Sequence, residues 1–238
     1  MRSKFLPFEI LYEDHEFIVI DKPAGLLTTH THLAGRAARE AQATAENYLN
    51  AYVRKGQARS AKRVWLVHRL DRETSGVMMF VKNEALAEAI RERWNELTEK
   101  TYRARVEGVL TEPSGVFESY LRDDPKTMKV ASVADPSQGK LARTEWRVLS
   151  CDGRTTRVEV ALKSGRKNQI RVHFSEAGHP VVGDVKYGAK KADGLHLRAI
   201  RLVFTHPRTG RRFDWTVSAG SIDKVNATGK GLNATRTS

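Results

Sequence analysis

The chain has 238 residues, 40% hydrophobic and 29% charged, a composition that predicts a soluble folded protein and excludes a disordered one. No stretch approaches the roughly 18 apolar residues of a membrane span, early acids (Glu9, Glu13, Asp14, Glu16) break any secretory signal core, and a lone Cys151 excludes an intrachain disulfide. Those three features give the expectation of a cytoplasmic protein, and the 41 Lys and Arg against 28 Asp and Glu leave a net charge of +13, which favours a polyanionic partner.

Phe17-Ile-Val-Ile20 is a short apolar run closed by Asp21-Lys-Pro-Ala-Gly25, which predicts a buried strand ending in a turn. Thr44–Val53 sets Ala45, Tyr48, Leu49 and Tyr52 on one helical face, with Thr44 as N-cap. Arg54–Arg63 then carries five basic residues and no acid. Gly76–Lys82 predicts a strand, and Asn83 caps a helix whose Leu86, Ala89, Ile90, Trp94 and Leu97 recur at helical spacing. Tyr102, Ala104 and Val106 alternate with Arg103, Arg105 and Glu107, as in a half-buried strand.

Thr111–Lys140 is rich in Pro, Gly, Ser and Asp and reads as hairpins and loops within the domain. Strands resume over Arg143–Leu149 and Thr155–Lys163. Asn168–Ala177 predicts a short helix with Ile170, Phe174 and Ala177 inward and Gly178 as its stop. Lys186–Arg212 is a second basic stretch whose single acid is Asp193. Two such stretches suit a surface that follows a nucleic-acid backbone. Leu197–Phe204 and Phe213–Val217 read as the last strands. The pattern lacks regular β-α-β alternation, so the expected fold is α+β, a mostly antiparallel mixed sheet with flanking helices. The expected organisation is one domain over 1–218 and a disordered basic tail over 219–238.

Chemistry concentrates in Leu66-Val-His68-Arg69-Leu70-Asp71-Arg72-Glu73-Thr74-Ser75-Gly76, where a polar turn between apolar strands presents His68, Arg69 and Asp71. His-Arg-x-Asp also occurs in kinase catalytic loops, but a Gly-rich phosphate loop and an Asp-Phe-Gly site are absent. A second segment, Gly165-Arg166-Lys167-Asn168-Gln169-Ile170-Arg171, opens the short helix with cations and sets Arg171 beside the inward Ile170. A guanidinium near a core needs a carboxylate or phosphate partner. The eight His residues are scattered, and His30 and His32 have no acidic companions, which weighs against a metal nuclease.

Read in order, these segments resemble the RluA-type family of RNA pseudouridine synthases, from about Ile10 to Val217. The resemblance rests on Val19-Ile-Asp-Lys-Pro-Ala-Gly25, His68-Arg-Leu-Asp71, Thr74-Ser-Gly76 and Lys100-Thr-Tyr102-Arg-Ala104. Gly165-Arg-x-x-Gln-Ile-Arg171, Gly178-His-Pro-Val-Val-Gly-Asp184 and Phe204-x-His-Pro207 complete it. It implies the pseudouridine synthase catalytic-domain fold without the N-terminal S4 domain of many relatives. Asp71 matches the catalytic aspartate, and Arg69 the arginine that fills the gap left by a flipped nucleotide. Tyr102 matches the tyrosine that stacks on the target base, Arg171 the basic partner of the aspartate, and Leu197 an apolar side chain near the base.

The expected protein is a monomer with no obligatory protein partner, and the missing metal, nucleotide and flavin signatures give the expectation of no cofactor or metal. The resemblance implies an RNA substrate, first a site in 23S ribosomal RNA and second a tRNA, the remaining reading being an RNA-binding homologue without catalysis. An ionised Asp71, its pKa lowered by Arg171, is expected to act at ribose C1′ or C2′. The chain departs from the family in having Lys167-Asn168 where Thr-His is frequent, and Leu197-Arg198-Ala199 where Leu-His-Ala is common.

Overall fold

Residues 6–30, 42–55, 57, 59–125, 127 and 129–223 are described by the computed structural model. In chain order the strands are β1 (Glu9–Glu13), β2 (Phe17–Lys22), β3 (Trp65–Leu66), β4 (Ser75–Val81), β5 (Thr98–Glu107) and β6 (Ser114–Asp124). They continue with β7 (Lys129–Val133), β8 (Lys140–Cys151), β9 (Thr155–Leu162), β10 (Leu197–Thr205) and β11 (Arg212–Thr216). The helices are α1 (Ala45–Arg54), α2 (Glu84–Glu92), α3 (Trp94–Leu97) and α4 (Gln169–Glu176). The strands form one 11-stranded sheet of order β1-β2-β4-β10-β5-β9-β8-β6-β7, with β3 beside β4 and β11 beside β10. The β4–β10 pair is parallel and the other pairs are antiparallel, so the expected α+β class holds.

Helix boundaries follow local chemistry. The Thr44 hydroxyl accepts from Asn47 N at 3.0 Å and the Asn83 amide oxygen from Leu86 N at 2.9 Å, both at predicted N-caps. Gly178, at φ +82°, ends α4 with His179 N donating to Phe174 O and Gly178 N to Ser175 O, a Schellman closure. The predicted inward Ala177 is instead exposed, because it has become the C-cap beyond the packed face. The helix expected to run through Leu97 breaks at Arg93 (φ −115°), and α3 begins on the next residue.

Strands β2 and β4 are buried on both faces, which is why they read as unbroken apolar runs. Phe17, Val19, Met79 and Val81 pack under α2, whereas Ile18, Ile20, Met78 and Phe80 pack under α1. A third core joins β5, β8, β9 and β10 to Ile170 and Phe174 of α4. Phe174 is fully buried, with Phe117 edge-on at 5.1 Å, and its burial stabilises the docked helix by roughly 1.5–3 kcal/mol.

The segment 111–140 holds the expected hairpin: β6, an 11-residue strand, pairs along β8 and with its hairpin partner β7. Two further expectations change. Strand β5 does not simply alternate, since Arg105 is buried and donates to Ile222 O at 3.2 Å. The residue beneath it belongs to a short 3-10 turn, Gly220–Asp223, in which Ile222 is buried. The ordered chain therefore continues past the expected boundary at 218; His32 and 224–238 lie outside the described residues.

Strand β4 also positions the catalytic candidates. Ser75 and Gly76 pair with Arg198 and Ala199 of β10, and farther along the same strand Phe80 and Val81 pair with β3. Where β10 and β3 diverge, the Met79 N–H is met by His68 Nε2 at 2.9 Å. At Gly76 (φ +119°) an added Cβ would lie 2.0 Å from Ala199 O, so only glycine admits this approach. Ala199 in turn faces Tyr102 of β5, and Ile200 bulges immediately after it. The turn ahead of β4 is thereby set two strands from Tyr102.

Candidate active site

Leu70–Thr74 forms that turn, closed by Thr74 N donating to Asp71 O at 3.1 Å. It is fastened to 22–28 by Gly25 N to Arg72 O at 2.9 Å and Thr28 Oγ1 to Leu70 O at 2.8 Å. Lys22, fully buried, donates from Nζ to the carbonyls of Pro23, Leu26 and Arg72. Burial pushes its ammonium down to about 8, with Asp71 and Glu73 acting in the opposite direction. The Val19–Gly25 motif thus locks the backbone that carries Asp71.

The opposite wall is Gly165–Arg171. Gln169, almost wholly buried, accepts from Ser164 Oγ and Arg166 N and donates to Arg143 O and Thr144 Oγ1, pinning the loop to β8. Asn168 enters α4 at φ +54°, a left-handed conformation that asparagine tolerates better than most side chains. Its side chain accepts from Arg171 Nη1 and donates to Tyr187 Oη, each at 3.0 Å.

Asp71, Arg69, Tyr102, Arg171 and Leu197 line one cavity of about 120 Å³, together with Lys167, Asn168 and Ile170 among others. Arg69 is exposed, and Leu197 is buried. Tyr102 is held neutral: burial, then the nearby Asp71 carboxylate, push its phenol above the ordinary value. His68, by contrast, stacks on Trp94 at 4.5 Å away from the cavity, and burial drives it down to about 3. Its role is that of a neutral acceptor for Met79 N–H, so it is a structural residue.

Arg171 binds chiefly to Asp184, with Nε and Nη2 at 2.6 and 2.7 Å from its two oxygens, while Asp71 lies 3.9 Å from Nη1. The need for a carboxylate near Arg171 was legible in the sequence; that Asp184 would meet it was not, because the two come together only through the 178–188 turn. The expected lowering of Asp71 is also reversed. Burial raises its pKa, and Arg171, Arg69, Lys167 and Lys22 oppose this without cancelling it. With Arg171 already neutralised by Asp184, its field at Asp71 is weakened.

The two departures differ in kind. Lys167 and Asn168 line the cavity, whereas Arg198 binds Asp21 at 2.5 Å and Ser218 O at 2.7 Å. In the second basic stretch Arg201 pairs with Asp214 and Arg212 with Glu99 at the surface, while Lys190 and Lys191 are exposed.

The family model described as RNA pseudouridylate synthase matches residues 16–176. The ribosomal large subunit pseudouridine synthase D of Pseudomonas aeruginosa is 33% identical over 229 residues, 88% of this chain and 68% of that one. The tRNA pseudouridine synthase C of Haemophilus ducreyi is 32% identical over 234 residues, covering 90% of this chain and 91% of its own. The structure of human RNA pseudouridylate synthase domain containing 4 shares the fold at TM-score 0.70 and 24% identity, over 88% of this chain and 87% of that one. The match spans both walls of the cavity, and the protein belongs to the RNA pseudouridylate synthase family, as the RluA-type character of its motifs implied.

Proposed function

We propose that this isomerase converts uridine to pseudouridine in structured RNA with Asp71 as its catalytic group. The observation that carries this reading is the meeting of Asp71, Tyr102, Arg171, Arg69 and Leu197 at one cavity. The N1–C1′ bond breaks, the uracil turns, C5 joins C1′, the C5 proton leaves to water, and N1 takes up a proton from water. No redox or phosphoryl step occurs, so the proposal includes no cofactor or metal. Asp71 acts as nucleophile at C1′ or as base at C2′, and both routes use the carboxylate.

Extruding the base costs a few kcal/mol. Stacking on Tyr102 offsets roughly 1–3 kcal/mol of that, and Arg69, exposed beside the cavity, fills the vacated position. Leu197 gives the base an apolar contact. The enzyme acts as a cytoplasmic monomer in this reading. A site in 23S ribosomal RNA is the first substrate, in line with the ribosomal relative. The tRNA relative, matched over 91% of its own length, favours a tRNA as the second reading.

Tritium release from RNA labelled at uridine C5, in separate ribosomal and transfer pools with EDTA present, tests this. Release from ribosomal RNA is expected. Release from tRNA alone would move the substrate to the second reading, and none from either pool would overturn the function. The acid limb of kcat/KM is expected above the ordinary aspartate value of 3.8, because burial raises Asp71 and the reaction needs it ionised. A limb at or below that value would remove Asp71 as the titrating group.

A further inference from the structure

A second cleft, of about 630 Å³, opens between the β1–β2 turn, the C-terminal end of α1 and the segment leading into β3. Lys55, Lys62 and Arg63 face it, from the acid-free stretch Arg54–Arg63. Among the described residues none of these three cations has a carboxylate partner. The acid on the cleft wall, Glu13, is already engaged: Lys82 Nζ donates to one oxygen at 2.7 Å and Tyr52 Oη to the other at 2.8 Å. Arg63 lies over the half-buried Trp65 ring at 5.3 Å, leaving an aromatic–guanidinium platform at the mouth.

The negative end of the α1 dipole accounts for a cation at Lys55. It does not account for Lys62 and Arg63, which lie beyond the helix. Unopposed cations, one of them a guanidinium laid over a half-buried aromatic ring, suit a phosphodiester backbone with a base stacked on the guanidinium.

Two rigid elements fix where this cleft sits. Helix α1 starts at Ala45, whose N–H bonds Leu27 O next to the Thr28 that holds Leu70, and ends at the cleft. Its ten residues span about 15 Å. Strand β4 runs from Ser75, after the Asp71 turn, to Val81 beside Trp65, about 20 Å at 3.3 Å per residue.

We propose that this cleft is a second RNA-binding site, which grips the backbone of the same substrate roughly 15–20 Å from the isomerised nucleotide. It rests on the synthase reading for the identity of the substrate. It acts on affinity and placement, since no cleft residue reaches the reacting base.

The test compares the double variant Lys62→Glu/Arg63→Glu with Lys129→Glu/Lys140→Glu, an equal charge change at exposed residues outside the cleft and both basic stretches. Total ribosomal RNA labelled at C5 gives KM and kcat. Fluorescence anisotropy of a labelled ribosomal transcript gives the salt dependence of binding, and thermal melting confirms folding. The cleft variant is expected to raise KM roughly tenfold, with the effect on KM rather than kcat, and to flatten the salt slope by about one to two beyond the control. Arg63→Ala is expected to give a smaller change in the same direction. Equal effects of the two double variants, or an RNA affinity unchanged in the cleft variant, would overturn the proposal; the latter would leave the cleft to another partner. Absence of tritium release by wild type from both ribosomal and transfer RNA would instead overturn the synthase reading, and the anisotropy arm would still decide the cleft.

Discussion

Asp71→Asn is expected to lower turnover by more than roughly 10³-fold while leaving the fold at least as stable as wild type at neutral pH. The loss follows from the chemistry, because an amide supplies neither the nucleophilic oxygen nor the base. The stability follows from the direction of the pKa shift. Burial raises Asp71 above its value in the unfolded chain, so the folded protein binds this proton more tightly than the unfolded one. Stability then falls as pH rises from the ordinary carboxylate value to the folded value, and the cost persists above it. Asparagine keeps the shape and removes that cost. Tritium release with matched thermal melts checks both halves. A normally active variant would remove Asp71 from the reaction, and a variant that melts well below wild type at neutral pH would show the ionised carboxylate to be stabilising.

Asp184→Ala is expected to destabilise the protein by about 3–5 kcal/mol, because removing one partner of a buried pair strands the other charge. The Asp184 side chain is 1% exposed and that of Arg171 is 10% exposed. Their two short bonds hold the guanidinium, which lies 5.0 Å over the Tyr187 ring. For a domain of this size the loss corresponds to a fall in Tm of roughly 10 °C. In the fraction that remains folded, Arg171 is left with Asp71 as its nearest carboxylate, and the acid limb of kcat/KM moves down. Denaturant unfolding and a pH–rate profile measure the two effects. A stability loss below about 1 kcal/mol would mean that water replaces the pair.

The local parts of this fold were legible in the sequence. The caps at Thr44 and Asn83 and the stop at Gly178 depend on neighbours within three or four residues, and each acts as expected. The doubly buried β2 and β4 announced themselves as apolar runs. Errors entered wherever a distant segment decided the environment. Arg105 reads as a solvent residue until the 220–223 turn covers it, and the hairpin read within 111–140 reaches 11 residues in β6 only because β8 supplies a ladder. His68 reads as a reactive side chain, yet it completes a strand edge where β10 and β3 part.

The site divides in the same way. The family resemblance carried by the motifs, from His68-Arg-Leu-Asp71 through Gly165–Arg171, is what nominates Asp71, Tyr102 and Arg171 as candidates, because such motifs are short segments of particular groups. Three things were decided by tertiary structure. The parallel β4–β10 pairing, passed through Gly76 and Ala199, brings Asp71 to Tyr102. The 178–188 turn gives Arg171 to Asp184 first and to Asp71 second. The proton affinity of Asp71 is then set by desolvation against four cations drawn from separate segments, a balance of distances and burial that residue order does not encode.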